Sequence, residues 1–539
     1  MRKTAFLLFI PAALAAADVA APTFESLQDP TKALVNSSQP VALSGFLLEA
    51  WEDADVVAFA NSLPEKQADL VNKLHSQVEF YHGNAAGALQ ALELVEKPDP
   101  WTTSQKKYLA DLAARQAQSS ETRSDRFTLQ LPKDSAFIAQ YAFPALERTY
   151  EKASAFYGVA LSTPLRVEVL PDAASFAQAA AVPPDFLERT SPASVAKFRR
   201  IYLISPIAVP GGYRWLDEAA GALHRLAVDR LSGGLAPVWM KEGLARRGED
   251  EWRREGDYIP NPADVNRLAE AALVNPSTGA ILIPFARMEP SIHGFHRRHD
   301  VLLAQVEASD AVDFLLKEHG KEKLLALLAA FRRLPREEAF VQTLGMKESE
   351  LEAAWIKSLD GRSWTVAKGS LDRDDSFEGK EPQPGSEARP FLRQGDALRD
   401  KKQWHSALVE YRKALAAEPD NGLLLLRAAR ASQSLEDFPA AEDFLRQAVG
   451  KNPFFVPAYV TLGRLLYDDG RYDDAQKILQ EGLEIQPSNP RLHETLGLIS
   501  MDVGDIPSAR RSIELAIRFD PANADLRDIL RRMPKGRGH

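Results

Sequence analysis

Between Ala388 and Asn523 the chain repeats every 34 residues, and that period leaves it few ways to fold. Pro419, Pro453, Pro487 and Pro521 are spaced by 34, and so are Ala407, Ala441, Ala475 and Ala509. Gly395, Ala429, Gly463 and Gly497 keep the same interval with small side chains. This length suits two helices and their turns, with the small residue where the helices cross and the proline at the exit of the second helix. One such unit cannot cover its own apolar face, so copies stack on their neighbours and share a continuous core.

The pattern strongly resembles tetratricopeptide repeats, with four copies filling residues 388–530. The resemblance implies a concave surface lined by the first helix of each pair. With the small residue at the eighth place, the groove positions include Arg389, Leu392, Asp396 and Arg399, then Leu426 and Arg430. Val460, Arg464 and Tyr467 follow, and then Glu494, Leu498 and Met501. Several arginines in one channel would suit an extended peptide ligand with carboxylates, and Tyr467 and Met501 would serve as apolar anchors. The alternative is that these arginines only solvate a stacking scaffold. The asparagine pattern of repeats that clamp a terminal carboxylate is missing, so that activity is not carried over.

Upstream, residues 126–360 read as mixed structure. Phe127 to Leu131, Leu165 to Leu170 and Tyr202 to Ser205 have the apolar or alternating character of strands, and Ala136 to Tyr157 and Leu216 to Arg247 have helical spacing. Residues 212–245 resemble the active-site helix pair of the peptidase MA-like (gluzincin) zinc metalloproteases. The Asp229 to Gly234 turn and the Trp239 to Ala245 stretch carry the likeness. It continues through Phe285 to Ser291, Phe314 to Gly320 and Leu344 to Trp355. In that family a His-Glu-x-x-His helix gives two zinc ligands and a general base, and the next helix gives a carboxylate ligand. Aligned on this chain without gaps, the motif falls on Gly221, Ala222 and Arg225, which supply neither ligands nor a base. Only Glu242 matches a ligand position. The resemblance therefore implies an inactive peptidase-like domain with no catalytic residue and no metal.

A guanidinium in the vacated metal space would meet the leftover carboxylate, so a pair between Arg225 and Glu242 is expected. The plain alternative for Glu242 is a helix-start carboxylate. His224 points to a different helical face from the lost ligand, but Asp217 and His224 share a face and with Glu242 would make a shifted metal site. A packed or surface histidine is the commoner state. His293, His296 and His299 recur every three residues and could ligate a metal, or form a solvated polar segment with Arg297, Arg298 and Asp300. Glu307 and Glu318 belong to no pattern.

The remaining sequence sets the context. Residues 1–17 have a basic start, an apolar core and small residues up to Ala17, which reads as a signal peptide and implies a periplasmic or secreted protein. Residues 18–43 read as a flexible segment. Residues 44–120 read as helical, with a degenerate tetratricopeptide-like pair from Val71 to Val95. Residues 361–387 read as a polar linker and 531–539 as a basic tail. There is no cysteine, so no disulfide framework. A net charge of -9 argues against nucleic-acid partners, and no later apolar run reaches membrane-spanning length.

The expected fold is an α+β gluzincin-like domain joined to an all-α repeat solenoid, mostly helical overall. The expected function is protein binding or scaffolding through the groove, without a cofactor. The alternative is a zinc metallopeptidase with a non-standard metal site.

Overall fold

Three of the strands are buried along most of their length, as in a sheet covered on both sides, although polar residues such as Thr128, Glu168 and Arg200 share one face with apolar ones. They are β2 (Phe127–Pro132), β3 (Leu165–Leu170) and β5 (Arg200–Ile204) in the computed structural model. Two polar edge strands escape the sequence pattern, β1 (Ser119–Arg123) and β4 (Ser194–Lys197). The sheet order is β1-β2-β3-β5-β4, with a parallel centre and antiparallel edges. Registers such as Phe127 opposite Leu165 and Val167 opposite Ile201 put apolar side chains in rows. Parallel neighbours need a crossover. A long helix, Ala139–Tyr157, supplies the one from β2 to β3. The described residues are 24–161, 163–183, 194–209, 213–253, 255, 261–273, 282–295, 297–360, 362–364, 367–371 and 387–533.

The chain divides into two units. The first holds residues 1–204, 216–256 and 281–362. Before the sheet it is helical, with α1 (Phe24–Gln28), α2 (Pro30–Asn36), α3 (Pro40–Glu49), α4 (Asp53–Ser62), α5 (Ala68–Tyr81), α6 (Ala85–Glu93) and α7 (Pro100–Gln118). Residues 24–43 are therefore not the flexible segment expected from their Pro, Ser and Asn content. Those residues start helices here: Pro30 and Pro40 sit in first turns, and the Asp29 side chain accepts from the Lys32 N–H at 2.9 Å. Leu34, Leu47 and Leu48 bury the apolar side of these helices. α5 and α6 form the hairpin expected over Val71 to Val95.

The helical layer grips the sheet through the turn between β4 and β5. Phe198 and Arg199 both take left-handed backbone, with φ of 54° and 55°. Such geometry is uncommon for residues with a Cβ and persists only where surroundings enforce it. Here Arg199 donates to both oxygens of Asp53, at 2.6 and 2.9 Å, with its guanidinium over Trp51 and Tyr81. Farther along the chain come the site helices α8 (Ala139–Tyr157), α9 (Ala173–Ala179), α10 (Trp215–Ser232) and α11 (Val238–Gly248).

The second unit holds residues 205–215, 257–280 and 363–539. Four helix pairs form its body: Arg389–Asp400 with Trp404–Ala417, Gly422–Ser434 with Phe438–Lys451, Val456–Asp468 with Tyr472–Ile485, and Pro490–Asp502 with Ile506–Phe519. A last helix, Ala524–Arg532, buries Leu526 against the fourth pair. The eighth-place glycines do what the period implied. A Cβ on Gly395 would stand 2.5 Å from Tyr411 Cε1, and one on Gly497 would stand 2.7 Å from Ile513 Cδ1.

Two boundaries differ from the sequence reading. Residues 126–360 are not one continuous domain, because the described residues 205–209, 213–215 and 261–273 belong to the unit of the repeats: Arg214 lies over the Phe454 ring at 5.1 Å. Within the expected linker, residues 367–371 are held in place. The Asp420 N–H donates to Lys368 O at 3.0 Å, and the Leu371 N–H donates to Asn452 Oδ1 at 2.8 Å. A low apolar content stops a segment from folding alone, yet its backbone can still pair with a finished surface. The signal-peptide residues, most of the linker and the end of the basic tail lie outside the described residues.

The turns inside the pairs give a direct test. Lys402, Glu436, Gly470 and Gly504 occupy the same place in successive repeats and all have positive φ. Gly470 has open space where a Cβ would sit, so its substitution costs only backbone strain. Gly470→Ala is expected to destabilise the repeats by about 1 kcal/mol, and Glu436→Gly to stabilise them by up to about 1 kcal/mol. Urea unfolding of the two variants checks both signs.

Candidate functional site

The helix pair α10 and α11 holds a dense group of buried charges. Arg225 Nε and Nη2 donate to Glu242 Oε2 at 3.0 and 2.8 Å, which is the pairing expected for the vacated motif. Both side chains are nearly buried, at 12% and 7% exposure. Burial alone would push the Glu242 carboxyl up, but Arg225 and, beyond it, His293 and Lys241 hold it below the usual glutamate value. Burial would likewise lower Arg225, and Glu242 more than offsets that. Both shifts favour the ionised pair.

The surroundings leave little room for other chemistry. Ala222 is fully buried. A Cβ on Gly221 would stand 3.1 Å from Glu249 Cγ and 3.4 Å from Ala245 O, so a side chain there must displace α11 or the residue that follows it. Lys241 pairs with Asp229 at 3.2 Å. Arg246 and Glu249, one turn apart, are 3.3 Å from each other and buried. Glu218 accepts from Ser194 Oγ at 2.8 Å, which ties α10 to β4.

The residues of the shifted metal site are not brought together. Asp217 accepts from Trp252 Nε1 at 3.0 Å and pairs with Arg253. The His224 ring meets Tyr157 Oη at 3.0 Å through Nδ1 and Glu251 Oε2 at 2.8 Å through Nε2. His224 is thus a packed histidine. His293 lies near Glu242, His299 lies in the following helix Arg298–Ala330, and His296 is outside the described residues. Among the described residues no group of three His, Cys, Asp or Glu side chains is placed to hold a metal ion. Glu307 accepts from the Ile283 N–H through both oxygens, at 3.1 and 3.0 Å, and its carboxyl is pushed up by burial. Glu318 is half-exposed or more in the same long helix and makes no contact that bears on the site.

The downstream runs noted in the sequence close over α11. Trp239 stacks on Phe285 at 4.3 Å, and Phe285 stacks on Trp355 at 5.4 Å. Glu289 accepts from the Val238 N–H at 3.0 Å, at the start of α11. Gly243 lies so close to Ala308 O that no Cβ fits. Sequence reasoning missed Glu249, Glu251 and Tyr157 as parts of this group. The spacing of Arg246 and Glu249 was the one local signal available.

In the solenoid the groove positions divide into two sorts. Leu392 and Leu426 are buried core, and so do not face a groove as expected. Asp396 is saturated: Arg399 at 2.8 Å, Tyr411 at 2.8 Å and Arg427 at 3.2 Å all meet its Oδ1. Arg464 reaches Asp468 at 3.0 Å on the exposed side and lies over the Tyr467 ring at 5.0 Å. Tyr467 donates to Asp502 at 2.8 Å. Glu494 is partly buried, which pushes its carboxyl up, against the pull of Arg464. Arg399 and Arg464 are therefore matched by carboxylates of their own repeats, a point that spacing alone did not reveal. Arg389 is exposed, while Arg430, Val460, Leu498 and Met501 are partly buried.

Breaking the central pair has a calculable cost. Arg225→Met leaves Glu242 buried without its partner and is expected to cost about 3 to 5 kcal/mol, whereas Arg225→Met with Glu242→Leu is near neutral. Because the folded Glu242 value is depressed, the pair stabilises fully above the ordinary glutamate range. That contribution is lost as pH falls through the lower folded value. Thermal unfolding of the three proteins between neutral and acid pH checks the difference.

A tetratricopeptide repeat family model matches residues 398–465, 432–499 and 466–533. Small glutamine-rich tetratricopeptide repeat-containing protein 2 of Mycosarcoma maydis is 30% identical over 104 residues, 19% of this chain and 30% of the relative. The STIP1 homolog of Dictyostelium discoideum is 27% identical over 107 residues, 20% of this chain and 19% of the relative. The chain thus spans less than a third of the length of these curated relatives. Among solved structures, MamA from Desulfovibrio magneticus RS-1 aligns at 18% identity and a TM-score of 0.26, over 28% of this chain and 84% of that one. The C-terminal part of this chain is a set of tetratricopeptide repeats.

Proposed function

We propose that this protein is an exported scaffold that binds a protein partner through its repeats and carries a catalytically silent peptidase-like domain. The observation that carries the second half is the Arg225–Glu242 pair. A gluzincin needs three ligands, an open coordination position and a base. At the corresponding places this chain has a glycine crowded by Glu249, a buried alanine and an arginine already bonded to the one ligand-position carboxylate. A permanent cation in that position repels a divalent metal. The chain therefore keeps the helix pair as framework and fills the site with an ion pair.

The repeats support the first half. Four stacked pairs with a closing helix exceed the roughly three that a stable stack needs, and the concave helices present Arg389, Arg430, Arg464, Tyr467 and Met501 at the family's groove positions. The ion pair of Arg464 is with a neighbour four residues on and is exposed, an interaction worth about 0.3 to 0.5 kcal/mol. A ligand carboxylate can replace such a partner at little cost. The leader-like residues 1–17 support export.

Two measurements test this reading. The purified protein is expected to hold far less than one zinc per chain and to show no chelator-sensitive proteolysis. Activity abolished by both chelator and Glu242→Ala would overturn it. A partner captured by the full chain should bind about tenfold or more weakly to Arg430→Glu/Arg464→Glu, with Lys477→Glu on the outer helix unchanged. Indifference to the arginine pair would remove the groove assignment.

A further inference from the structure

Phe438 and Val503 are 53% and 57% exposed, in a solenoid that otherwise buries its large apolar side chains. With Leu435 at 38%, they are three of the four large apolar residues left exposed in the repeats, Val409 being the fourth. Leu435 and Val503 lie in the turns between the first and second helix of a pair, and Phe438 opens the second helix just after such a turn. We propose that the rim formed by these turns in the second, third and fourth pairs is a docking surface for a basic polypeptide segment that also carries apolar residues.

The charge of the same turns identifies the occupant. Residues 433–440 hold two carboxylates, 467–474 hold four and 501–508 hold two, against one basic residue, Arg471. Arg471 is already shared between Glu442 at 2.8 Å and Asp474 at 2.7 Å. The corresponding turn of the first pair, with Lys401, Lys402 and His405, has the opposite character, so the acidic rim is confined to three repeats. Continuity across the last two comes from Tyr467 and Tyr472, whose rings are 5.9 Å apart and which both donate to Asp502, at 2.8 and 3.4 Å. Exposed apolar residues rimmed by polar ones mark interaction surfaces. Here the polar rim carries one sign. That sign repels nucleic acid and anionic lipid, and it disfavours a second copy of this rim. A cationic chain with apolar side chains satisfies both features, by Coulomb attraction to the carboxylates and by burial on Phe438 and Val503.

This surface meets the concave positions at Tyr467 and Met501, but its carboxylates Asp469 and Asp473 can be changed apart from Arg430 and Arg464, so either reading can fail without the other. The test uses the full-length protein and a fluorescent peptide with Lys and Leu at helical spacing, measured by anisotropy. A Lys–Ser peptide of equal charge and a Glu–Leu peptide serve as comparisons. The Lys–Leu peptide should bind and weaken about tenfold as salt shortens the screening length from ~10 Å to ~3 Å. Asp469→Lys/Asp473→Lys should weaken it about tenfold, and the milder Asp469→Asn/Asp473→Asn should do so in part. Phe438→Ser should weaken it about threefold or more with charge unchanged. Glu65→Lys/Glu93→Lys makes the same net charge change on the other unit and should have no effect, and Arg430→Glu/Arg464→Glu should not weaken the peptide. Equal loss in both double-lysine variants, or equal binding of the Lys–Ser peptide, would reduce the effect to net charge and overturn the proposal. Self-association abolished by Lys401→Glu/Lys402→Glu would overturn it in favour of a second copy.

Discussion

Sixteen residues separate Gly395 from Tyr411, Ala429 from Leu445, Gly463 from Leu479 and Gly497 from Ile513, and the solenoid depends on the contact each pair makes. The first member must be small because the second packs against its backbone. Where alanine stands, at residue 429, its fully buried methyl shares the core cluster with Leu445. Everything else in a repeat follows from this approach. It fixes how closely the two helices cross, which buries Ala407, Ala441, Ala475 and Ala509 on the adjoining turn and sets the left-handed residue that joins the helices. A crossing repeated at fixed intervals turns a one-dimensional pattern into a stack, since each pair can bury its face only on the next.

The same geometry divides the surface. On the first helices arginines meet carboxylates of their own or neighbouring turns, as Arg399 meets Asp396 and Arg464 meets Asp468. In the turns inside the second, third and fourth pairs carboxylates outnumber basic residues, although Arg464 meets Asp468 and Arg471 meets Asp474. Charge that reads as dispersed along the sequence is therefore sorted by the stack into a balanced face and an acidic rim. Repeat proteins gain such surfaces simply by stacking, because one position in each copy lines up with itself.

In the first unit the organising problem is different, because ionised groups are buried among one another. Arg225 and Glu242 neutralise each other, and Lys241, Asp229, Arg246 and Glu249 extend the network on both sides. A buried pair of this kind is weak evidence of stability, but removing one member is costly. The network therefore constrains how α10 and α11 can drift in sequence. A second constraint is the β4–β5 turn, where the left-handed Phe198 and Arg199 are held by Asp53 and by the aromatic faces of Trp51 and Tyr81.

The sequence by itself determined the repeats, because a 34-residue period is local information that needs no knowledge of distant contacts. It also determined the three central strands, whose apolar residues alternate or run together, and the Arg225–Glu242 pair, which was expected from the resemblance over residues 212–245. The tertiary structure decided what depended on partners far along the chain. The polar edge strands Ser119–Arg123 and Ser194–Lys197 have no apolar signature and exist because β2 and β5 offer them hydrogen bonds. Pro30 and Pro40 read as linker residues until the burial of Leu34 and Leu47 made them helix starts. Leu392 and Leu426 read as groove-facing positions until packing put them in the core. Residues 367–371 have little apolar content and are held by partners far along the chain, the Asp420 N–H and the side chains of Asn266 and Asn452. Periodicity reports which side of a helix is apolar, but only assembled neighbours decide whether that side is covered, and which charges remain without a match once it is.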